Sequence, residues 1–412
     1  MTRKQFLGFP ALALAAAPLR AQEDVRARRW REDLQFLVAE LLRLHPDPFF
    51  RSSREDFERA VADLNDRIPE LTDSEVVVAF SRLLAMLRDG HTNVIKFPLV
   101  SGLRQYPLQL KWFPEGLCAV RAPATALDAL GLRLRAVAGI SVDEVWDRAR
   151  AVVSADNEWT FRDRLPAVLT SPEALYALRI IPQVGSAQYS FEGPNGQGVD
   201  VTIPISTNIV CDWPRFARPV RMLFEQNPAL NFWFDYLESK RALYIKYNAC
   251  VDDPLLPMSE FARQIGAFVR QQRVERIIVD VRNNGGGNNA LIQPILFEIG
   301  SAINNGFIPS TVAGFCIIGR QTFSSGMWNA IDLKQMGVTL LGEPTGGKPN
   351  APGNVTNVQL PNSRISVNVS TRMWSRFPEV GDAESLMPDI AVDFSLEDYA
   401  RQRDPFLEKA LE

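Results

Sequence analysis

Ser324 lies in Thr322-Phe323-Ser324-Ser325-Gly326-Met327, between an apolar strand-like run and a helical one. A serine at such a junction can project its hydroxyl past the sheet edge, while the amide of Ser325 stabilises a developing oxyanion. Serine is also a strong helix N-cap, so position alone leaves both roles open. The surroundings are not GxSxG, since no glycine lies two residues before Ser324, and not SxxK, since Met327 holds the lysine position. Upstream, Asp280-Val281-Arg282-Asn283-Asn284-Gly285-Gly286-Gly287 carries a buried-strand pattern into three glycines. Glycines there can turn backbone N–H groups toward a bound oxygen, or simply make a tight turn. No Lys-Ser/Thr follows them, which excludes a phosphate loop. Downstream, Gly342-Glu343-Pro344-Thr345-Gly346-Gly347-Lys348 ends on a lysine. Desolvated beside a serine, Lys348 could serve as a general base; on a solvent-facing loop it would be an ordinary cation.

The chain has two histidines, His45 and His91, and no HExxH. A zinc hydrolase would have to build its site mostly from carboxylates, so no metal and no cofactor is expected. His91 falls in Arg88-Asp89-Gly90-His91-Thr92, where a helical pattern stops at Gly90.

These residues need elements to hold them. Residues 23–90 read as helical, with Ser53/Asp56 and Thr72/Glu75 as capping pairs. Val76, Val77, Phe80, Leu83, Leu84 and Leu87 then recur along one helical face. Between 105 and 205, YPLQLKW, GLCAV and GLRLRAVAG read as strands and SVDEVWDRARAVV as a helix. AQYSFEG with VDVTIPI reads as a hairpin, completing a small α+β module. Residues 206–240 show no regular pattern and are rich in aromatics. From Arg241 strands alternate with helices: ALYIKYN, a helix near 257–272, RIIVDV, a helix from about 289, STVAGFCIIG, a helix from about 325 to 336, and VTLLG. That alternation predicts a largely parallel sheet with helical cover, whose reactive groups gather where strands end and helices begin.

The opening MTRKQFLGFPALALAAAPLRA has a basic start, an apolar run from Phe6 to Leu19 and small Ala21 at its end, the pattern of an export signal over residues 1–21. Its Thr2-Arg3-Lys4-Gln5-Phe6-Leu7 is similar to a twin-arginine signal, with Lys4 in place of the second arginine. Loss of this segment removes Arg3, Lys4 and Arg20 and shifts the formal charge from −3 to −6. An acidic chain without a basic stripe is not a nucleic-acid binder, and no later run is long enough to span a bilayer. Cys118, Cys211, Cys250 and Cys316 are far apart and form no CxxC pair, so isolated buried thiols are expected.

DVRNNGGG, TFSSG and GEPTGGK, in this order within about a hundred residues, resemble the tail-specific, or C-terminal processing, serine peptidase family. HPDPF at His45, RDGHT at His91 and SLMPDIAV near the end extend the resemblance over nearly the whole chain. It implies an α/β fold: a ClpP/crotonase-like peptidase core over 206–412, an N-terminal helical domain over 22–100, and a PDZ-like module over 101–205. In the last of these GLRLRAVAGISVDEV resembles one PDZ stretch. By the same resemblance Ser324 is the nucleophile, and Ser325 with Gly286 or Gly287 forms the oxyanion hole. The base is Lys348, as in the processing peptidases, or His91 supported by Asp382 or Glu384, as in the tricorn-like branch. The TGGKP loop and Met327 depart from the lysine branch. The implied activity is hydrolysis of protein or peptide substrates through an acyl-enzyme, in the periplasm or outside the cell. A non-catalytic binding protein on the same scaffold is the alternative.

Overall fold

A computed structural model of the chain describes residues 16–100, 103–205, 213–218 and 220–412, with side chains from Val25 onward. The N-terminal region holds three helices: α1 (Ala16–Leu44), α2 (Arg54–Arg67) and α3 (Asp73–Ala85). Thr72 starts α3 through a reciprocal capping box with Glu75, whereas Ser53 caps α2 by accepting from Asp56 N without a return bond. α3 ends at Ala85 rather than at Gly90. The chain turns away when Arg88 takes a left-handed backbone (φ 54°), and Asp89 to His91 form a separate turn leading into β1 (Asn93–Val94).

The second region is built on a sheet of order β2-β3-β4-β6-β7, comprising β2 (Gln109–Phe113), β3 (Gly116–Arg121), β4 (Arg133–Val137), β6 (Ser186–Glu192) and β7 (Gly198–Pro204). The short β5 (Ile140–Ser141) pairs with β4. α4 (Val142–Arg150), α5 (Glu158–Val168) and α6 (Pro172–Ala177) cover it, closing a core around Tyr189, Phe161 and Leu165.

The third region is a sheet of order β15-β12-β11-β10-β9-β8. Its strands are β8 (Phe232–Leu237), β9 (Ala242–Tyr247), β10 (Arg276–Asp280), β11 (Ala313–Ile318), β12 (Thr339–Gly342) and β15 (Ile390–Ala391). All neighbours run parallel except β8, which is antiparallel to β9. Every residue of β9 is buried, as expected of a parallel strand covered on both faces. α7 (Met258–Val269) and α8 (Gln293–Asn304) pack on one face, α7 through Met258, Phe261, Ala262, Ile265 and Val269, the spacing of a single helical stripe. α9 (Ser324–Gln335) joins that layer, and α10 (Leu396–Arg401) and α11 (Pro405–Ala410) close the chain. β8 lies in the stretch whose sequence shows no pattern.

β13 (Pro352–Gln359) and β14 (Ser366–Met373) leave this sheet. They form an antiparallel hairpin, extended by β1, whose Val358, Leu360, Val367 and Val369 share a core with Leu34, Phe80 and Leu84 of the helices. The third region thus lends a hairpin to the first. Cys118, Cys250 and Cys316 are free and buried, as expected for isolated thiols; Cys211 lies outside the described residues.

Candidate active site

The site forms where β10 and β11 end. β10 delivers Asp280 into a buried network with Lys246 (3.2 Å), Arg282 and Tyr244 (2.6 Å). Burial alone would push the Asp280 carboxyl up, but the Arg282 and Lys246 charges outweigh it and hold it at about 2. With Arg282 also paired to Asp404 (2.9 Å), this network fixes the base of the glycine turn. Asn284, fully buried, organises the turn itself. Its Nδ2 donates to Tyr247 O, its Oδ1 accepts from Gly286 N at 2.9 Å, and its carbonyl accepts from Phe323 N at 2.9 Å.

Ser324 begins α9 with a left-handed backbone (φ 50°), while Phe323 before it is extended. A non-glycine residue in this region stores about 1–3 kcal/mol of strain and persists only where its surroundings over-determine it. They do so here. Gly286 (φ 106°) packs so closely that a Cβ on it would fall 2.7 Å from Ser324 Cβ and 3.0 Å from Ser325 N. A Cβ on Gly326 would meet Asn284 O at 2.5 Å, which lets the helix start press against the glycine turn. Ser325 Oγ donates to Gly287 O at 2.6 Å and ties the two segments together. Since Gly286 N–H is taken by Asn284, the amides without an acceptor among the described residues at this junction include those of Ser325 and Gly287. Both belong to the expected oxyanion set; Gly286 instead gives the turn its shape. The Ser324 hydroxyl makes no hydrogen bond to any described residue. It stands at the N-terminus of a 12-residue helix, where amides and dipole favour negative charge.

The two expected bases are placed differently. Lys348 is buried, and its Nζ reaches Asp382 Oδ1 (2.7 Å), Asp382 O (2.9 Å) and Glu384 Oε1 (3.2 Å). Arg51 binds the same Glu384 at 2.8 Å. The lysine ammonium is therefore a clamp on the 382–386 loop, and no hydrogen bond links it to Ser324. The neighbouring Gly347 approaches Ser324, where a Cβ would lie 3.2 Å from Ser324 N. Asp382 stands with Lys348 rather than with His91 and is exposed, so it supports the lysine and not the imidazole.

His91 packs on Phe323, the residue before Ser324, with ring centroids 4.5 Å apart. Both of its ring nitrogens are buried without a hydrogen-bond partner. The acids beside it are Asp89, with Oδ1 3.9 Å from Nδ1, and Asp156. Asp89 is a hub. It accepts from His45 Nε2 (3.1 Å), Thr92 Oγ1 (2.5 Å), Ser370 Oγ (2.6 Å) and His91 N (2.9 Å). Asp47 N donates to His45 Nδ1, which places the His45 proton on Nε2. Burial acts to raise the Asp89 carboxyl, but the His45 hydrogen bond, the His91 charge and the two hydroxyls outweigh it and hold it below its ordinary value. Asp156 is pushed upward, by burial first and by the Asp89 charge, although His91 and the amides of Gly90 and Lys348 oppose this. Arg164 lies across the same patch, donating to Gly90 O and Ser154 O and standing over the Phe323 ring at 5.6 Å.

Asp89, His91 and Asp156 bring ligand-type atoms within 4.8 Å of one another and are the described residues that could hold a cation. The carboxylates, however, already accept four donors at Asp89 and two amides at Asp156, an arrangement suited to a neighbouring imidazolium. Sequence reasoning passed over Asp156 and Arg164. Asn157, the N-cap of α5, binds Thr345 O and Glu384 O through Nδ2 and so brings the entry to α5 onto the site.

This mixed α/β architecture, with its serine at a glycine-lined strand-to-helix junction, is similar to the folds of C-terminal processing proteases. Solved structures with the same fold include CPAF, a tail-specific protease, as the resemblance in the sequence implies. Mature CPAF complexed with lactacystin superposes with a TM-score of 0.62 at 13% identity, over 94% of this chain and 97% of that one. Mature CPAF alone gives 0.62 at 14% identity, over 94% and 96%. A serine-to-alanine CPAF mutant gives 0.60 at 13%, over 94% and 96%. No protein-family model and no curated protein matches the chain.

Proposed function

We propose that the chain is an exported serine peptidase that cleaves protein or peptide substrates through an acyl-enzyme on Ser324. The carrying observation is the left-handed Ser324 at the start of α9, held against Gly286 with no described partner for its hydroxyl. A serine serving only as a helix cap would place its oxygen on an amide of the first turn, and Ser324 does not.

In this reading Ser324 Oγ attacks the substrate carbonyl and its proton passes to His91. The amides of Ser325 and Gly287 hold the tetrahedral oxyanion. The intermediate collapses with the C–N bond breaking and the leaving amine taking the proton from the imidazole. Water, deprotonated by His91, then hydrolyses the ester and restores the serine. His91 is favoured over Lys348 because its nitrogens are unengaged beside two buried carboxylates, whereas the lysine donates to several acceptors. The contact between His91 and Ser324 forms when substrate is bound, as catalytic hydrogen bonds commonly tighten only then. Residues 1–21 direct export; of these, 1–15 lie outside the described residues. The 206–412 region is a ClpP/crotonase-like core, apart from the hairpin it lends, and 101–205 is a PDZ-like module.

Digestion of casein by the chain beginning at Gln22 tests this, beside Ser324→Ala and His91→Ala. Cleavage lost in both variants supports the reading, and cleavage retained in Ser324→Ala would refute it. If no casein is cut at all, labelling of Ser324 by a fluorophosphonate decides whether the nucleophile is live.

A further inference from the structure

A cavity of about 1010 Å³ lies between the second and third regions, away from His91. Its walls come from β2, α5, the ends of β10 and β11, and the C-terminal segment. They are rich in aromatic and aliphatic surface, including Tyr106, Trp112, Trp213, Phe224 and Phe394. Such a size and lining suit a small organic molecule with a ring-bearing body.

The charges in the wall are unevenly matched. Glu343 is paired with Arg320, and Asp163 accepts from Gln321 Nε2 at 2.8 Å. Arg104 pairs with Glu173, Arg162 with Glu158, and Arg282 with Asp280 and Asp404. Lys111 differs. Its ammonium stands over the rings of Phe394 (5.2 Å) and Tyr399 (5.0 Å), and among the described residues no oxygen accepts a hydrogen bond from it and no carboxylate forms an ion pair with it. Ring faces are a weaker partner for an ammonium than a carboxylate, so an anion entering this half-open cleft would gain a charge-assisted contact at Lys111. The wall's carboxylates, Glu343 and Asp163, are turned to Arg320 and Gln321, which leaves the Lys111 ammonium open to an anion from solution.

We propose that this cavity binds a small aromatic carboxylate, its ring against Trp112 and its neighbours and its carboxylate on Lys111. Burial, which pushes Lys111 below its ordinary value, agrees with a site that lacks its anion. The proposal does not depend on Ser324 chemistry.

Isothermal titration of the full chain with naphthylacetate and with the uncharged naphthylethanol tests it. A charge-assisted hydrogen bond in such a cleft gives about ten- to a hundredfold selectivity for the acid. Lys111→Met is expected to weaken the acid to the level of the alcohol, and Lys111→Arg to retain most of the selectivity. Circular dichroism melts of both variants confirm that the fold survives. Equal affinity for acid and alcohol, binding of neither, or selectivity unchanged in a folded Lys111→Met would overturn the proposal. So would Lys111-dependent binding of a decapeptide through its C-terminal carboxylate with no binding of naphthylacetate.

Discussion

Replacing Asp89 by asparagine keeps the shape of the side chain and removes its charge, which isolates what the carboxylate does. Oδ2 accepts from His45, Thr92 and Ser370, and Oδ1 from the amide of His91. Ser370 N donates to Thr92 Oγ1, so the Thr92 hydroxyl is committed to donating to Asp89. An asparagine can satisfy one side only. With its oxygen at the Oδ2 position, its NH₂ faces the His91 amide, donor against donor, at about 1–3 kcal/mol. The three remaining bonds lose their charged acceptor, roughly 0.5–1 kcal/mol each. The sum is about 2.5–6 kcal/mol at neutral pH. With an unfolding entropy of about 2.1 cal/mol/K per residue, a chain of 412 residues should melt about 3–7 °C lower. The pH dependence gives a second check. The folded Asp89 carboxyl is held below its ordinary value of 3.8, so its stabilisation is present above that pH and fades as pH falls through the lower, folded value. Differential scanning calorimetry of both proteins from pH 7 downward should show the gap between them closing below about pH 4. A gap under 1 °C at pH 7, or one that stays constant to pH 3, would show that Asp89 is not the hub described.

Three further outcomes follow from the site. Ser324→Gly should be about 1 kcal/mol more stable than Ser324→Ala by urea unfolding, reversing the usual helix ranking, because only glycine is relaxed at φ 50°; the usual order would remove the strain argument. Gly286→Ala combines a left-handed φ with a Cβ 2.7 Å from Ser324 Cβ, and should cost about 2–5 kcal/mol and abolish fluorophosphonate labelling; a folded, fully labelled variant would contradict the packing. Lys348→Ala should lower the melting temperature and loosen the 382–386 loop to proteolysis, yet leave labelling above that of His91→Ala; the reverse order would make the lysine the base.

What could be read from the sequence was local. The Thr72/Glu75 box, the apolar stripe of α3 and the strand–glycine–helix passage at 280–287 depend on residues a few positions apart. Ser324 stood out for the same reason. Long-range partners were hidden: Asp89 meets Ser370 across 281 residues, and Asp156 meets Lys348 across 192. Nothing near either aspartate in sequence announces those contacts. β8 was missed because its aromatics sit on the sheet edge, partly buried on both faces, without clean alternation. The β13–β14 hairpin defeated a linear division of the chain, since its register with β1 is set by packing on helices some three hundred residues earlier.

That borrowed hairpin has a consequence for how the protein comes into being. Ser324 and its glycine wall belong to the last third of the chain, whereas His91 is seated by helices made first and by strands made almost last. Neither half owns a finished centre. A chain still emerging, or trimmed at either end, carries Ser324 and His91 without the frame that aligns them. On the proposed reading, catalytic competence would arrive only with the last strands.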